Sequence, residues 1–309
     1  MTTLETSPLH SGLLAAVSRS FYLSLRVLPA AVRGPLSLGY LLARAADTIA
    51  DVPARPASER LALLAALERG EAAEAAAEFA NDVPHEGERV LLRRLGECFA
   101  ALHGSAAEDA ALIRTVLARI IRGQSLDLAR FPGILATAHE LDEYTWLVAG
   151  CVGEFWTEVC VRHLPHCATL PRQEMVELGT QFGKGLQLVN ILRDQPRDMA
   201  EGRCYLPVDD LRGAGLTDFS WPAADWHPWH AVRRHWLRAA RERLAAGRTY
   251  AAALTVARLR FAALLPLLIG EATLDLLEAQ PADRAPEAAK ISRGKVKRLM
   301  LRALWQSVR

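Results

Sequence analysis

The chain is 309 residues long, 51% apolar and 23% charged, a globular balance that excludes disorder and collagen-like structure. Lys and Arg number 37 against 35 Asp and Glu, a net charge of +2, so no global basic field marks nucleic acid as a partner. Stretches such as Arg60 to Ala80 are built from Ala, Leu, Glu and Arg, strong helix formers that point to an all-α protein.

Apolar residues recur at helical spacing from Leu13 to Ala50, interrupted at Pro29 and at Gly34-Pro35, which predicts two or three helices, the last over Leu36 to Ile49. Val52 to Ala57, with Pro53 and Pro56, reads as a loop after which Ser58 caps a helix from Glu59 towards Phe79. Asn81 to Glu86 is the next break. Helices are then expected at Arg89 to His103, Asp109 to Arg130, Asp142 to His163, Arg172 to Asp194, Trp229 to Leu254 and Arg258 to Leu277. No alternating run of strand type is found. Glu201 to Pro228 is the one extended departure from helical periodicity, a length of connection that is more often functional than idle. With no long linker and no repeat, one helical domain over residues 1–309 is the economical expectation.

Five cysteines (Cys98, Cys151, Cys160, Cys167, Cys204) are scattered with no CxxC pair, which predicts reduced thiols. Met1 to His10 carries Glu5 and no basic segment before an apolar run, so it does not read as a secretory signal, and a cytoplasmic location is expected. The most apolar stretch, Phe261 to Gly270, is too short to cross a bilayer, and no transmembrane helix is expected. Lys290 to Arg309 holds seven basic residues and no acid, with apolar residues that could form a helix face. Peripheral attachment to an anionic membrane is one reading and a last domain helix with a basic exposed side is the other.

Two aspartate pairs carry the chemistry. In Arg44-x-x-Asp47-x-x-x-Asp51 the carboxylates fall one helical turn apart, where like charges repel unless a cation lies between them. An ordinary Arg44–Asp47 salt bridge with two exposed carboxylates is the competing reading. The spacing repeats in Gln187-x-x-Asn190-x-x-Arg193-Asp194-x-x-x-Asp198, a set of hard oxygen donors suited to Mg²⁺, although Pro196 should end or kink the helix before Asp198. Between the pairs lies Tyr144, upstream of Val148-Ala149-Gly150 and Gly153, whose small side chains allow close approach. After the second pair comes Gly202-Arg203-x-Tyr205-x-Pro207, which places an Arg where a loop could meet a phosphate.

In this order and spacing, together with Ser18-Arg-Ser20-Phe21, these motifs resemble the squalene and phytoene synthase family, the head-to-head branch of the all-α isoprenoid synthases, over almost the whole chain. Within it, Ser18 to Pro29 and Tyr40 to Asp51 are most similar to bacterial squalene synthases. Thr48 stands where phytoene synthases and the paired hopanoid-pathway enzymes more often have an acid. Leu147 replaces a frequent aromatic, and Leu188 replaces the Lys of animal-type squalene synthases.

The resemblance implies a single helical domain around a central apolar cavity and a condensation of two farnesyl diphosphates to presqualene diphosphate. Reduction by NADPH to squalene, a hopanoid or sterol precursor, would follow. It implies Mg²⁺ on Asp47, Asp51, Asn190, Asp194 and Asp198, with Arg44, Arg193 and Arg203 holding phosphates. Ser18, Ser20, Phe21, Gln187 and Tyr205 would contact substrate, and Tyr144 would assist proton transfer in cyclopropane closure. The alternatives are a presqualene diphosphate, dehydrosqualene or phytoene synthase without the reductive step, and a non-catalytic assembly factor, which typically lacks acids that this chain keeps.

Overall fold

Apolar positions spaced three and four residues apart coil the chain into helix, and the computed structural model describes residues 12–17, 21–135, 137–216, 226–283 and 285–308. In chain order the helices are α1 (Leu14–Val17), α2 (Phe21–Val27), α3 (Ala30–Ala50), α4 (Ala57–Arg69), α5 (Ala73–Phe79), α6 (Glu86–Arg93), α7 (Leu95–His103) and α8 (Ala107–Arg130). They continue as α9 (Ala138–Thr145), α10 (Cys151–His163), α11 (Arg172–Ala200), α12 (Val208–Gly213), α13 (His227–Ala253), α14 (Ala257–Glu278) and α15 (Arg293–Ser307). The all-α class is as expected. Among the described residues the exception to the expected absence of strands is a parallel pair of two-residue strands, β1 (Gly133–Ile134) and β2 (Arg203–Cys204), with Gly133 opposite Arg203. Two residues are too short a run to show alternation.

Several boundaries differ from the sequence expectation. Gly34-Pro35 does not break α3, because Pro35 lies in its second turn and forfeits only the bond to the Ala31 carbonyl. Pro196 likewise lies inside α11, which continues to Ala200 and keeps Asp198 helical. Conversely, the helices expected at Glu59 to Phe79 and Arg89 to His103 are each split. Gly70 terminates α4 in the left-handed region at φ 79°, which a glycine adopts without strain, and Arg94 separates α6 from α7. Ser58 does not cap α4, which begins one residue earlier after Pro56. The Asp142 to His163 helix extends back to Ala138 and contains a π-helical turn, Trp146–Gly150, that joins α9 to α10.

Two compact units organise the fold. The first lies within Met1–Ala129 and Phe155–Cys167. Its long helix α3 buries Val32, Leu36, Leu41, Leu42 and Ile49, none more than 3% exposed, and each such side chain contributes about 1.5–3 kcal/mol of hydrophobic stabilisation. Gly39 admits the Phe155 ring, since a Cβ there would sit 2.8 Å from ring carbons. Asp109, 5% exposed, is held by His163 Nε2 at 2.8 Å and Arg162 Nε at 3.2 Å.

The second unit lies within Arg130–Glu154 and Ala168–Arg309 and is built on α11, which packs along α13, α14 and the π-helical turn. The approach of that turn to α11 is close enough to require glycine. A Cβ on Gly183 would lie 2.3 Å from the Ala149 carbonyl oxygen, and one on Gly153 would lie 1.9 Å from that of Gly179. All five cysteines are buried and none forms a disulfide.

Candidate active site

In the first unit the last turns of α3 carry Arg44, Asp47 and Asp51. Arg44 Nη1 stands 4.0 Å from Asp47 Oδ2, and Gln124 of α8 donates from Nε2 to Asp47 Oδ1 at 2.6 Å. Tyr40 Oη and Arg44 Nη2 both reach the Val17 carbonyl, at 3.3 and 3.4 Å, which anchors this stretch of α3 to α1. Desolvation pushes the Asp47 carboxyl up to about 7, with Arg44 opposing the shift and the Asp51 carboxylate adding to it, although 39% of the side chain stays open to solvent. Asp51 ends α3, its N–H bonded to the Asp47 carbonyl at 3.0 Å, and is exposed. Arg44 Nε is buried with no hydrogen-bond partner among the described residues.

In the second unit, successive turns of α11 present Gln187, Asn190, Asp194 and Asp198 at intervals of three, four and four residues, hence on one side of the helix. Asn190 Nδ2 donates to Gln187 Oε1 at 3.4 Å. Arg193 forks onto its neighbour, Nε to Asp194 Oδ1 at 2.8 Å and Nη2 to Oδ2 at 2.6 Å. Asp198 is 7% exposed and has Arg197 Nη2 at 3.4 Å. Burial raises the Asp198 carboxyl, Arg197 and Arg203 counter it, and the Asp194 charge adds to it.

The chain leaving α11 is pinned by β1 and β2. Gly202, at φ 76°, makes the turn, Gly133 N–H donates to its carbonyl at 2.8 Å, and Leu135 N–H to that of Cys204 at 3.0 Å. Arg203 Nε stands 4.0 Å from Glu201 Oε2. Tyr205 is thereby set against Tyr144, in the last turn of α9: the rings stack with centroids 5.1 Å apart and planes at 24°. Phe131 meets Tyr205 edge-on at 4.9 Å, and both tyrosines are 8% exposed. Two turns of chain around Tyr144 are fixed from behind, because Asp142 Oδ1 accepts from both Lys184 Nζ and Arg243 Nη2 at 2.6 Å. Burial works against the Asp142 charge, yet these hydrogen bonds outweigh it and hold the carboxyl below the ordinary aspartate range. Lys184 is 7% exposed, and its stem passes over Gly150, where a Cβ would meet Lys184 Cγ at 2.9 Å.

The structure therefore places Arg44 with Asp47, Asp194 and Asp198 with Arg193 and Arg197, Gln187 with Asn190, and Tyr144 with Tyr205. Ser18 and Ser20 lie outside the described residues, and Phe21 opens α2. Gln124, Phe131, Asp142, Lys184 and Arg243 escape the sequence reading, since each contact is made to another element and none repeats at helical spacing. Among the described residues no three His, Cys, Asp or Glu side chains gather into a ready-made cage. Two carboxylates per helix, with the Asp51 charge raising Asp47 and the Asp194 charge raising Asp198, fit a hard divalent cation that keeps most of its waters and takes phosphate as a further ligand.

A family model described as squalene/phytoene synthase matches residues 14–298. A bifunctional lycopene cyclase/phytoene synthase of Phaeosphaeria nodorum is 30% identical over 65% of this chain, and the match spans about a third (34%) of that protein. A presqualene diphosphate synthase of Rhodopseudomonas palustris is 31% identical over 67% of this chain and 64% of its own length. The solved structure of TcSQS with a ligand superposes with a TM-score of 0.77, covering 96% of this chain and 86% of that one at 23% identity, which is a likeness of fold.

Proposed function

Because the chain belongs to the squalene/phytoene synthase family, we propose that it joins two farnesyl diphosphates head to head into presqualene diphosphate and reduces that product with NADPH to squalene. The observation that carries the reading is the repeated pair of helix-borne carboxylates, each with an arginine beside it: Arg44 with Asp47 and Asp51, and Arg193 with Asp194 and Asp198. Mg²⁺ would be held by Asp47, Asp51, Asp194 and Asp198, with Asn190, and when bound it supplies the positive charge that stabilises a departing diphosphate.

The chain's own groups do the rest. Arg44, with a buried and unpartnered Nε, Arg193 and Arg203 donate hydrogen bonds to diphosphate oxygens and orient the two substrates. Gln187 and Asn190 extend the polar side of α11 beside them. Loss of the diphosphate leaves an allylic cation, which alkylates the double bond of the second molecule. A proton then leaves as the cyclopropane closes, and Tyr144, its ring held between its own helix and Tyr205, assists that transfer through its hydroxyl. Buried aromatic rings on this side exclude water from the cations. Reduction needs a second ionisation and a hydride from NADPH.

A second reading stops at presqualene diphosphate, as favoured by the relative of that name, diverts that intermediate to dehydrosqualene, or joins two geranylgeranyl diphosphates into phytoene. The test is product identity from farnesyl diphosphate and Mg²⁺. Squalene formed only with NADPH supports the first reading, presqualene diphosphate or dehydrosqualene under both conditions, or phytoene when geranylgeranyl diphosphate is supplied, supports the second, and no condensed product from either substrate defeats both.

A further inference from the structure

The last helix leaves an apolar stripe uncovered. Among the described residues seven large hydrophobic side chains are exposed, and four of them crowd the end of α15: Leu301 at 64%, Leu304 at 54%, Trp305 at 53% and Val308 at 70%. Their spacing puts all four on one side, while Ala303 and Ser307 are buried on the other, where α15 packs on α14. Four basic residues fill the stretch Arg293 to Arg298, Arg302 follows, and the helix holds no acid. Ser292 Oγ accepts from Lys295 N at 3.2 Å and caps the start, so the helix is formed before any partner arrives.

We propose that this face of α15 docks the protein on an anionic lipid surface. Leu301, Leu304, Trp305 and Val308 enter the boundary between headgroups and acyl chains, and the basic first turns lie among the lipid phosphates. Trp305 has the amphipathic ring that such a boundary favours. No helix among the described residues is long and apolar enough to cross a membrane, so the contact is interfacial. Charge selects the occupant. A second copy of the chain docked through the same stripe would bring two acid-free basic helices together, whereas an anionic leaflet complements them. The placement does not depend on which product the enzyme releases.

Sedimentation with vesicles tests it. Full-length protein is expected to pellet at low salt with phosphatidylcholine vesicles containing phosphatidylglycerol, to leave pure phosphatidylcholine vesicles unbound, and to detach as salt rises. The variant Leu301→Ser with Trp305→Ser should weaken vesicle binding about tenfold or more, and Lys297→Gln with Arg298→Gln should flatten its salt dependence. All four side chains are exposed, so helix content and condensation of soluble substrate should match the parent chain. Three results overturn the proposal: no binding to anionic vesicles at low salt, equal binding by the apolar double variant, or a concentration-dependent dimer that Trp305→Ser abolishes.

Discussion

Water, more than position in a motif, separates the four aspartates: Asp198 is 7% exposed, Asp194 29% and Asp47 39% on their side chains, and Asp51 stands open at the end of α3. On the proposed reading each is a ligand and none is a core contact. Replacing Asp47 or Asp194 by Ala should therefore lower product formation by about 10²–10³-fold or more while circular dichroism stays unchanged. Activity within a few-fold of the parent would make them structural carboxylates. For Tyr144→Phe the stacked ring remains and only the hydroxyl is lost, a change worth about 10²–10⁴-fold if it assists proton transfer. The defect should precede presqualene diphosphate, so supplying that intermediate with NADPH restores squalene; a wild-type rate of its formation would make Tyr144 a packing residue. Asp142 offers a pH test. Its folded pKa is depressed, so its stabilisation is complete above the unfolded value of about 3.9 and drains away as pH falls through the lower folded value. Asp142→Asn should cost about 1–3 kcal/mol at neutral pH, because buried Lys184 loses its charged acceptor, and the gap in Tm between variant and parent should narrow towards pH 3. A gap that widens in acid would show that the Lys184 and Arg243 contacts do not set this carboxyl.

At the scale of elements, glycine decides where helices can meet. Gly153→Ala would drive a methyl into the Gly179 carbonyl, so unfolding experiments should show a loss of about 3 kcal/mol or more, whereas Gly96→Ala, whose Cβ would meet only Ala73 Cβ at 3.7 Å, should be neutral or slightly stabilising. Equal stabilities for the two variants would mean that the start of α10 does not pack on α11 this closely. The helical class and the order of the helices were legible in the sequence, because period and composition are local. The interruptions were less so. Proline near a helix end forfeits one bond while its neighbours go on packing, so Pro35 and Pro196 mislead where Pro29 and Pro56 do not. A π-helical turn adds a single residue to a pattern of threes and fours and leaves no trace in hydrophobicity. Of the site, the aspartates, Arg44, Arg193 and Tyr144 could be found by spacing. Gln124 could not: it reaches Asp47 across 77 residues, and only the tertiary fold brings that amide to the end of α3.

For the molecule as a whole, apolar helix faces form the buried core, and the proposed Mg²⁺ would join carboxylates that lie outside it. Chelation with EDTA is expected to abolish condensation, Mg²⁺ to restore it, and the far-ultraviolet spectrum to stay constant throughout; metal-independent turnover would end the metal proposal. The same cores shelter every thiol, since the five cysteines are buried and burial pushes the thiols of Cys98 and Cys204 up to about 12. Thiolate is the reactive form, so a disulfide-exchange dye should find almost no fast site in the folded chain and five once it is unfolded. The protein is thus a natural blank for site-specific labelling. One cysteine introduced at an exposed position of α15 would be the single reactive thiol, and a polarity-sensitive fluorophore placed there would report lipid contact without any native residue having to be removed first.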